Sequence, residues 1–449
     1  MVDANDDRLY PSRRDVLKYS GVAGLAGLAG CTTTDGGDGT TTTTEGDGGD
    51  GTTTTTAGDG DGTTTPGETT TTTGGGPTGP YTIGMVDSLS GSLSAFGERN
   101  QRGKDLALAD VNAVGIGGRE LRIQVEDSES NPQPGVSAAQ KLVNQSGVPF
   151  IIGAVGSGVS LAIYQSVIQG TDVVQLSQNS TGLGLTEYPD LLRISPSGRS
   201  QSLALTDIVA EDGHDSVAVT WVNNNYGQSL ADAFIQNFDG EIAFQNPHNQ
   251  EQSSYANLIS QMGSSGADAW VFVAYQEGFT TMVNEIYSGG YEPALYGADS
   301  VRGESVLDGT PEGSMNGMKI VTPSAPVNQE NYQQFASRFQ DEYDMEPTSW
   351  AAFAYDCVIT AALSIHAADE FSGAALRSVV RDVTRPEGQE VTSYEAAAQI
   401  LADGGGADDV DYQGVSGPID LDENGDPRGF LQVLEVQDHS YVGVDFISG

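Results

Sequence analysis

Positive charge, cysteine and histidine are all scarce in this sequence. Of its 449 residues, 19 are lysine or arginine against 62 aspartates and glutamates, which gives a formal net charge of −43. So acidic a chain lacks the basic surface that binding to a nucleic-acid backbone requires. A hydrophobic content of 37%, patterned into segments after residue 80, argues against a wholly disordered acidic chain. Dense carboxylates keep a protein hydrated where salt screens their repulsion, so we interpret the composition as that of a halophile, with an acidic mesophile protein as the alternative.

The scarce reactive residues limit the chemistry that the chain can support. Its four histidines are scattered and have no metal-ligand spacing, and neither a Gly-x-Ser-x-Gly elbow nor a Ser/His/Asp arrangement is present. An acidic motif at 420–425 imitates the start of an EF-hand, but Leu431 occupies the twelfth position, where glutamate is required. We therefore expect no enzyme, no bound metal and no cofactor, and we predict a hairpin turn at that motif.

The two cysteines, Cys31 and Cys357, have different predicted roles. Cys31 ends a leader segment and is the predicted processing site, which leaves Cys357 without an intramolecular disulfide partner. Cys357 lies in the apolar helical run 349–368, so we predict a buried and inert thiol.

The first 31 residues predict export followed by lipidation. Arg13 and Arg14 precede a short apolar segment at 16–30 that is rich in Gly and Ala, a pattern that resembles the twin-arginine signal. This segment is shorter than the roughly twenty strongly apolar residues of a spanning helix. It ends in Leu-Ala-Gly-Cys at 28–31, which resembles a lipobox. Cys31 is therefore the predicted lipid-attachment site, and it would anchor the chain on the extracellular face of the cell membrane.

Residues 32–80 consist almost entirely of Thr, Gly and Asp. They lack apolar periodicity, so we predict a disordered stalk between the lipid and the folded body. As a flexible coil, a stalk of this length has a root-mean-square reach of roughly 40 Å.

Beyond residue 80, short apolar strands alternate with amphipathic helices in two series. Repeated βα units of this length predict parallel sheets covered by helices on both faces, and two series predict two α/β domains. The tail from Val415 is predicted to form strands joined by a turn at 424–426. The predicted strands are 81–86, 121–126, 150–152, 173–176, 216–222, 242–245 and 269–273, and the predicted helices are 97–112, 133–146, 158–168, 227–238, 253–263 and 278–288.

Motifs along this body occur in the order that is typical of one known family. They are LSGSLSAFG at 89–97, FIIG at 150–153, VNNNYG at 222–227 and GPIDLD at 417–422. This ordered set resembles the leucine/isoleucine/valine-binding protein family, which has the type I periplasmic-binding-protein fold. The resemblance implies two lobes, each a parallel-sheet α/β domain, joined by a three-crossover hinge that closes on a ligand. Lobe 1 would comprise 81–198 plus 326–416, and lobe 2 would comprise 199–325 plus 417–449.

The same resemblance implies a set of ligand-binding residues. A free amino acid needs neutral donors for its carboxylate, a carboxylate for its ammonium group and a pocket for its side chain. Ser157 is the first predicted carboxylate donor, Asp299 matches the acid that binds the ammonium group, and the remaining positions match ligand contacts. The alternative for each aromatic residue is ordinary packing, and for Asp299 it is one more solvated carboxylate; the family often has Glu at that position. The predicted set is Phe96, Ser157, Asn179, Thr181, Tyr226, Tyr275, Asp299 and Trp350.

The resemblance implies an extracytoplasmic solute-binding lipoprotein of haloarchaeal type that serves an ABC importer. Its ligand would be an amino acid with a branched-chain or similar apolar side chain, and its partners would be the permease and ATPase subunits. Another small solute (an amide, a urea-like compound or an aromatic acid) and a ligand sensor with the same fold are the alternatives; the lack of a C-terminal spanning helix favours transport. Asn144 and Asn179 both begin N-glycosylation patterns, and a glycan on Asn179 would block the cleft.

Overall fold

The computed structural model describes residues 79–448. The predicted signal peptide with Arg13 and Arg14, the lipid-attachment site Cys31 and the stalk as far as residue 78 therefore lie outside the described residues.

Strands and helices alternate through most of the described chain. The strands are β1 (Tyr81–Asp87), β2 (Leu121–Asp127), β3 (Phe150–Gly153), β4 (Val174–Ser177), β5 (Leu191–Arg193), β6 (Ser216–Val222), β7 (Glu241–His248), β8 (Ala269–Val273), β9 (Ala294–Gly297), β10 (Lys319–Ser324), β11 (Gln389–Val391), β12 (Val410–Gly414), β13 (Gly417–Pro418), β14 (Phe430–Gln437) and β15 (Ser440–Ser448). The helices are α1 (Ser94–Val114), α2 (Pro132–Gln140), α3 (Ser157–Ile163), α4 (Gly198–Glu211), α5 (Asn225–Asn237), α6 (Ala256–Ser264), α7 (Gln276–Ser288), α8 (Glu304–Asp308), α9 (Glu330–Tyr343), α10 (Ser349–Ala367), α11 (Gly373–Val379) and α12 (Tyr394–Ala402).

Two sheets form the centres of two lobes. The first is all-parallel, with the strand order β2-β1-β3-β4-β5. The second has the order β15-β14-β10-β9-β8-β6-β7, and β14 and β15 run antiparallel to their neighbours. The inner strands β3, β4 and β8 are buried along their whole length, as expected for parallel strands covered by helices on both faces. The predicted fold class, two α/β lobes of the type I periplasmic binding protein kind, is confirmed.

The chain passes between the two sheets three times. It leaves the first sheet after Arg193 and enters the second at Ser216, leaves the second after Ser324, and returns to it at Phe430. Between the last two points, β11, β12 and β13 form a small third sheet. The residues at which one lobe ends and the other begins remain a prediction.

Three kinds of local prediction need correction: a helix start, the ends of two helices and a turn. Helix α1 begins at Ser94 rather than at residue 97, because the main-chain oxygen of Leu93 already accepts from the amides of Phe96 and Gly97. The segments 133–146 and 158–168 are not single α-helices, since π-helical turns follow α2 at 141–145 and α3 at 164–168.

The third correction concerns the predicted hairpin turn at 424–426. The β14–β15 hairpin instead turns at Asp438 and His439, whose φ angles of 47° and 61° are both left-handed. The turn at 424–426 precedes β14, and the Asp422 carboxylate organises it by accepting from the amides of Asn424 and Asp426. It therefore joins strands that belong to different sheets.

Helix α10 is the core helix of the first lobe. It is the one helix within residues 79–448 that is long and apolar enough to cross a membrane, and 89% of that stretch is buried inside the protein. It packs closely on α1 because Gly103 has no side chain: a Cβ atom there would lie 2.1 Å from the main-chain oxygen of Ala351. Cys357 lies in this helix, and it is fully buried as predicted, with the pKa of its thiol raised by burial.

Candidate functional site

The two lobes meet around one pocket, at the carboxyl ends of strands from both sheets. This is where ligands bind in open α/β sheets, because the loops and helix starts that follow the strands converge there. The space in this pocket that no atom occupies, open solvent included, is about 300 Å³. All eight predicted ligand-binding residues lie in its lining, so the structure brings them together; their role in binding stays a prediction. The lining residues are Leu93, Phe96, Val155, Gly156, Ser157, Asn179, Thr181, Tyr226, Tyr275, Asp299, Ser300 and Trp350.

The first lobe contributes neutral polar groups. Ser157 opens α3, directly after Gly156 with its left-handed φ of 85°, and its Oγ accepts from the amide of Gly182 at 2.9 Å. Because that oxygen acts as the acceptor in this contact, the hydroxyl hydrogen can still donate to a ligand.

Asn179 presents the clearest unmet hydrogen-bonding capacity in the pocket. It is 8% exposed, and neither its Nδ2 nor its Oδ1 has a partner among the described residues. Buried amide groups are normally hydrogen-bonded, so a ligand in this pocket would supply the missing partners. Of the two asparagines in glycosylation patterns, Asn144 is exposed and Asn179 is buried.

The second lobe contributes a pair of stacked tyrosines. The rings of Tyr226 and Tyr275 lie 5.7 Å apart, with 14° between their planes. Asn224 fixes both: its side-chain oxygen caps α5 by accepting from the amide of Gly227, and its Nδ2 donates to the Tyr275 hydroxyl at 3.0 Å. Burial raises the pKa of both tyrosines well above the usual value, so both hydroxyls stay protonated at neutral pH.

Asp299 is the one carboxylate in the lining. It is 4% exposed, and its Oδ1 accepts from Gln201 Nε2 at 2.6 Å and from the Tyr226 hydroxyl at 2.9 Å. Burial raises the pKa of this carboxyl to about 6, and the two hydrogen bonds oppose that rise. The lining contains no lysine, arginine or histidine, so at neutral pH the pocket carries one uncompensated negative charge. That charge is complementary to a single cationic group on a ligand.

The remaining wall is apolar and aromatic. Phe96 and Trp350 meet edge to face, with ring centroids 5.7 Å apart, and both are 4% exposed. Leu93 and Val155 extend this wall. The pocket thus has a polar side, a charged side and an apolar end.

Several residues that form or support this site are not among those predicted from the sequence. Leu93, Val155, Gly156 and Ser300 lie within three residues of predicted ones in the chain, and that proximity could have identified them. Gln201 holds the Asp299 carboxylate from 98 residues away, and no local motif marks it. Within residues 79–448, no group of three or more His, Cys, Asp or Glu side chains is arranged to hold a metal ion.

A family model described as periplasmic binding protein matches residues 80–420. The chain belongs to this family. Its membership confirms the resemblance that the ordered motifs indicate. Leu/Ile/Val-binding protein homolog 3 of Brucella melitensis is 27% identical over 228 residues, which cover 49% of this chain and 61% of that protein. The chain therefore aligns with less than two thirds of the length of this curated relative.

Solved structures share the fold over most of this chain. The branched-chain amino acid transporter substrate binding protein LivJ of Streptococcus pneumoniae, in complex with isoleucine, superimposes with a TM-score of 0.71 at 20% identity, covering 82% of this chain and 100% of that one. A solute binding protein of an ABC transporter from R. palustris, in complex with benzoate, has a TM-score of 0.67 at 17% identity, covering 82% and 97%.

Proposed function

We propose that this protein captures an amino acid outside the cell membrane and delivers it to the permease and ATPase subunits of an ABC importer. One observation supports this most: a single buried carboxylate, Asp299, lines the same small pocket as the neutral donors Ser157, Asn179 and Thr181. An amino acid carries one ammonium and one carboxylate on the same carbon. The pocket offers one partner of the matching kind to each group.

The apolar end of the pocket favours an aliphatic side chain. With the ammonium group at Asp299 and the carboxylate at Ser157 and Thr181, the side chain would point toward Phe96 and Trp350. The apolar wall suits a branched-chain amino acid better than a sugar. The isoleucine complex of the Streptococcus pneumoniae protein is consistent with this ligand class.

Closure of the two lobes would couple binding to delivery. A ligand that contacts Ser157 in one lobe and Asp299 in the other favours the closed arrangement, because only that arrangement offers both contacts. The lobes also contact each other directly. Gln250 Nε2 donates to Ser92 Oγ at 2.6 Å, and the amide of Leu183 donates to Ser229 Oγ on α5 at 3.2 Å.

Lipid attachment at Cys31 and the stalk at 32–80 complete the proposal. A receptor tethered through a long flexible segment stays close to its permease and can still open, close and dock. The lipid anchor, the twin-arginine signal and the location on the extracellular face rest on the sequence motifs.

An aromatic carboxylic acid is the second candidate ligand. Four aromatic side chains line the pocket, and the R. palustris protein is in complex with benzoate. Such a ligand brings no cation to Asp299, and an unpaired buried carboxylate next to a second anion is costly. We therefore rank it below an amino acid.

A thermal-shift screen in concentrated salt separates these candidates. It would compare L-leucine, L-isoleucine and L-valine with benzoate and with an aliphatic amide. We expect the amino acids to raise the unfolding temperature and benzoate to have no effect. A shift with benzoate alone would make the protein an aromatic-acid receptor.

A further inference from the structure

Arg193 is fully buried, and every N–H group of its guanidinium donates a hydrogen bond. Its Nε and Nη2 donate to the two carboxylate oxygens of Asp426 at 2.6 and 2.8 Å. Nη2 also donates to Thr186 Oγ1 at 2.8 Å, and Nη1 donates to the main-chain oxygens of Ser180 and Gly182 at 3.1 and 2.9 Å. These contacts use all five N–H donors of the group, which fixes its orientation.

The partners of Arg193 lie on two functionally different segments. Ser180 and Gly182 flank Thr181, and the amide of Gly182 donates to Ser157 Oγ, so one side of the guanidinium group holds the loop that lines the pocket. Asp426 lies in the segment that leads from β13 to β14, where the chain enters the second sheet for the last time. Arg193 itself ends β5, where the chain first leaves the first sheet.

The acidic motif at 420–425 forms the turn that positions Asp426. The Asp422 carboxylate accepts from the amides of Asn424 and Asp426, which folds the turn. Gly425 has a left-handed φ of 81°, and its main-chain oxygen accepts from the amide of Arg193 at 3.0 Å. Asp422, one of the aspartates that imitate an EF-hand, therefore shapes a turn that presents the Asp426 carboxylate to Arg193.

We propose that Arg193 and Asp426 are positioning residues that hold the Ser180–Gly182 loop in its ligand-binding geometry and join that loop to the connections between the lobes. The ion pair ties the loop to both the first and the last passage of the chain between the sheets. Ligand contact at Thr181 is thereby linked to the segments that must bend when the lobes close. This proposal rests on the proposed function, because it concerns the same pocket.

A purely structural ion pair would have different consequences from a positioning one. Removing a structural pair would lower stability and leave the affinity of the folded protein unchanged. Removing a positioning pair would loosen the 180–182 loop and weaken binding through Thr181 in particular. The two cases are therefore distinguished by loop order and by the coupling between the two positions.

The main variant is Asp426→Asn, which keeps the side-chain shape and removes the charge. Asp426→Glu restores a carboxylate. The matched control is Glu126→Gln. Glu126 lies on β2, at the opposite edge of the first sheet, and its carboxylate forms an ion pair with Lys141 at 2.8 Å. The first measurement is amide hydrogen exchange of the ligand-free protein. We expect faster exchange at residues 180–183 in Asp426→Asn and no change there in the control.

The second measurement is calorimetric titration with L-leucine of wild type, Asp426→Asn, Thr181→Ala and the double variant. We expect Asp426→Asn to weaken binding about tenfold, the effect of misplacing one hydrogen-bond donor to the ligand, with partial recovery in Asp426→Glu. The double variant should bind little more weakly than Thr181→Ala. Additive losses, or unchanged exchange at 180–183, would overturn the proposal. If the wild type binds no amino acid, the proposed function fails, and the exchange result alone decides whether the ion pair orders the loop.

Discussion

Asp299→Asn should weaken amino-acid binding and at the same time stabilise the ligand-free fold. The asparagine side-chain oxygen can keep both hydrogen bonds that Oδ1 accepts, from Gln201 at 2.6 Å and from Tyr226 at 2.9 Å. The substitution therefore removes the negative charge and leaves the internal contacts in place. A residue kept for packing would not respond in this way.

The loss of affinity follows from the bond between the carboxylate and the ligand ammonium group. A hydrogen bond to a charged group is worth about 1.5–3 kcal/mol, so the dissociation constant should rise roughly 10- to 150-fold. Only the ionised carboxylate attracts the ammonium group, and burial raises the pKa of Asp299 to about 6. Wild-type affinity should therefore also fall as the pH drops below about 6.

The gain in stability follows from the same pKa. The carboxyl group binds its proton more tightly in the folded chain, where its pKa is about 6, than in the unfolded chain, where it is near 3.8. The stabilisation that this carboxyl gives the folded chain is fully present below the unfolded pKa and is lost as the pH rises through the folded pKa. The ionised group then costs about 3 kcal/mol of folding free energy. Asp299→Asn should be more stable than wild type at pH 8 and about equal to it at pH 4.

Calorimetric titration with L-leucine and denaturant unfolding at the two pH values measure both effects. Wild-type affinity in the variant would refute the role of Asp299 in binding the ammonium group. Weaker binding together with lower stability at pH 8 would show that the substitution disrupts the pocket rather than removing a ligand contact.

Three further outcomes test the fold and the anchor. Gly103→Ala places a Cβ atom 2.1 Å from the main-chain oxygen of Ala351, so we expect it to lower the free energy of unfolding by about 2 kcal/mol. The control is Gly184→Ala, whose Cβ atom would have no other atom within 4 Å and which should change the free energy of unfolding by less than about 0.5 kcal/mol. Asp356→Ala leaves a buried tyrosine hydroxyl and two main-chain amides without their acceptor, so denaturant unfolding should show a loss of about 3 kcal/mol or more. Cys31→Ser should move the protein from the membrane fraction to the medium; an unchanged membrane fraction would rule out lipid attachment there.

Local patterns predict the layers of this fold because each strand carries its own signal. The buried run of β3 and the apolar helix after it are recognisable from their residue types alone. The hairpin of β14 and β15 is different: Asp438 and His439 form its turn, and Asp-His is not one of the dipeptides that mark a two-residue hairpin. Asn424-Gly425 has the stronger hairpin signal, but its turn, held by the Asp422 carboxylate, lies between β13 and β14, which belong to different sheets.

The candidate site likewise contains residues that the sequence predicts and residues that it does not. All of its lining residues except Trp350 follow strands, so strand ends and family motifs together locate the eight predicted ones. The residues that hold the lining in place come from distant parts of the chain: Gln201 reaches Asp299 across 98 residues, and Arg193 reaches Asp426 across 233. No periodicity or spacing reports such pairs, because only the folded chain brings them into contact.

Calorimetric titration with L-leucine and with two analogues that each lack one of its charged groups tests whether the pocket recognises an amino acid. The analogues are 4-methylpentanoate, which lacks the ammonium group, and leucinol, which lacks the carboxylate. We expect one-site binding of L-leucine and much weaker binding of both analogues, because Asp299 and the neutral donors of the first lobe each lose a partner. If 4-methylpentanoate binds as tightly as L-leucine, the pocket does not recognise an amino acid through Asp299, and the proposed function is wrong.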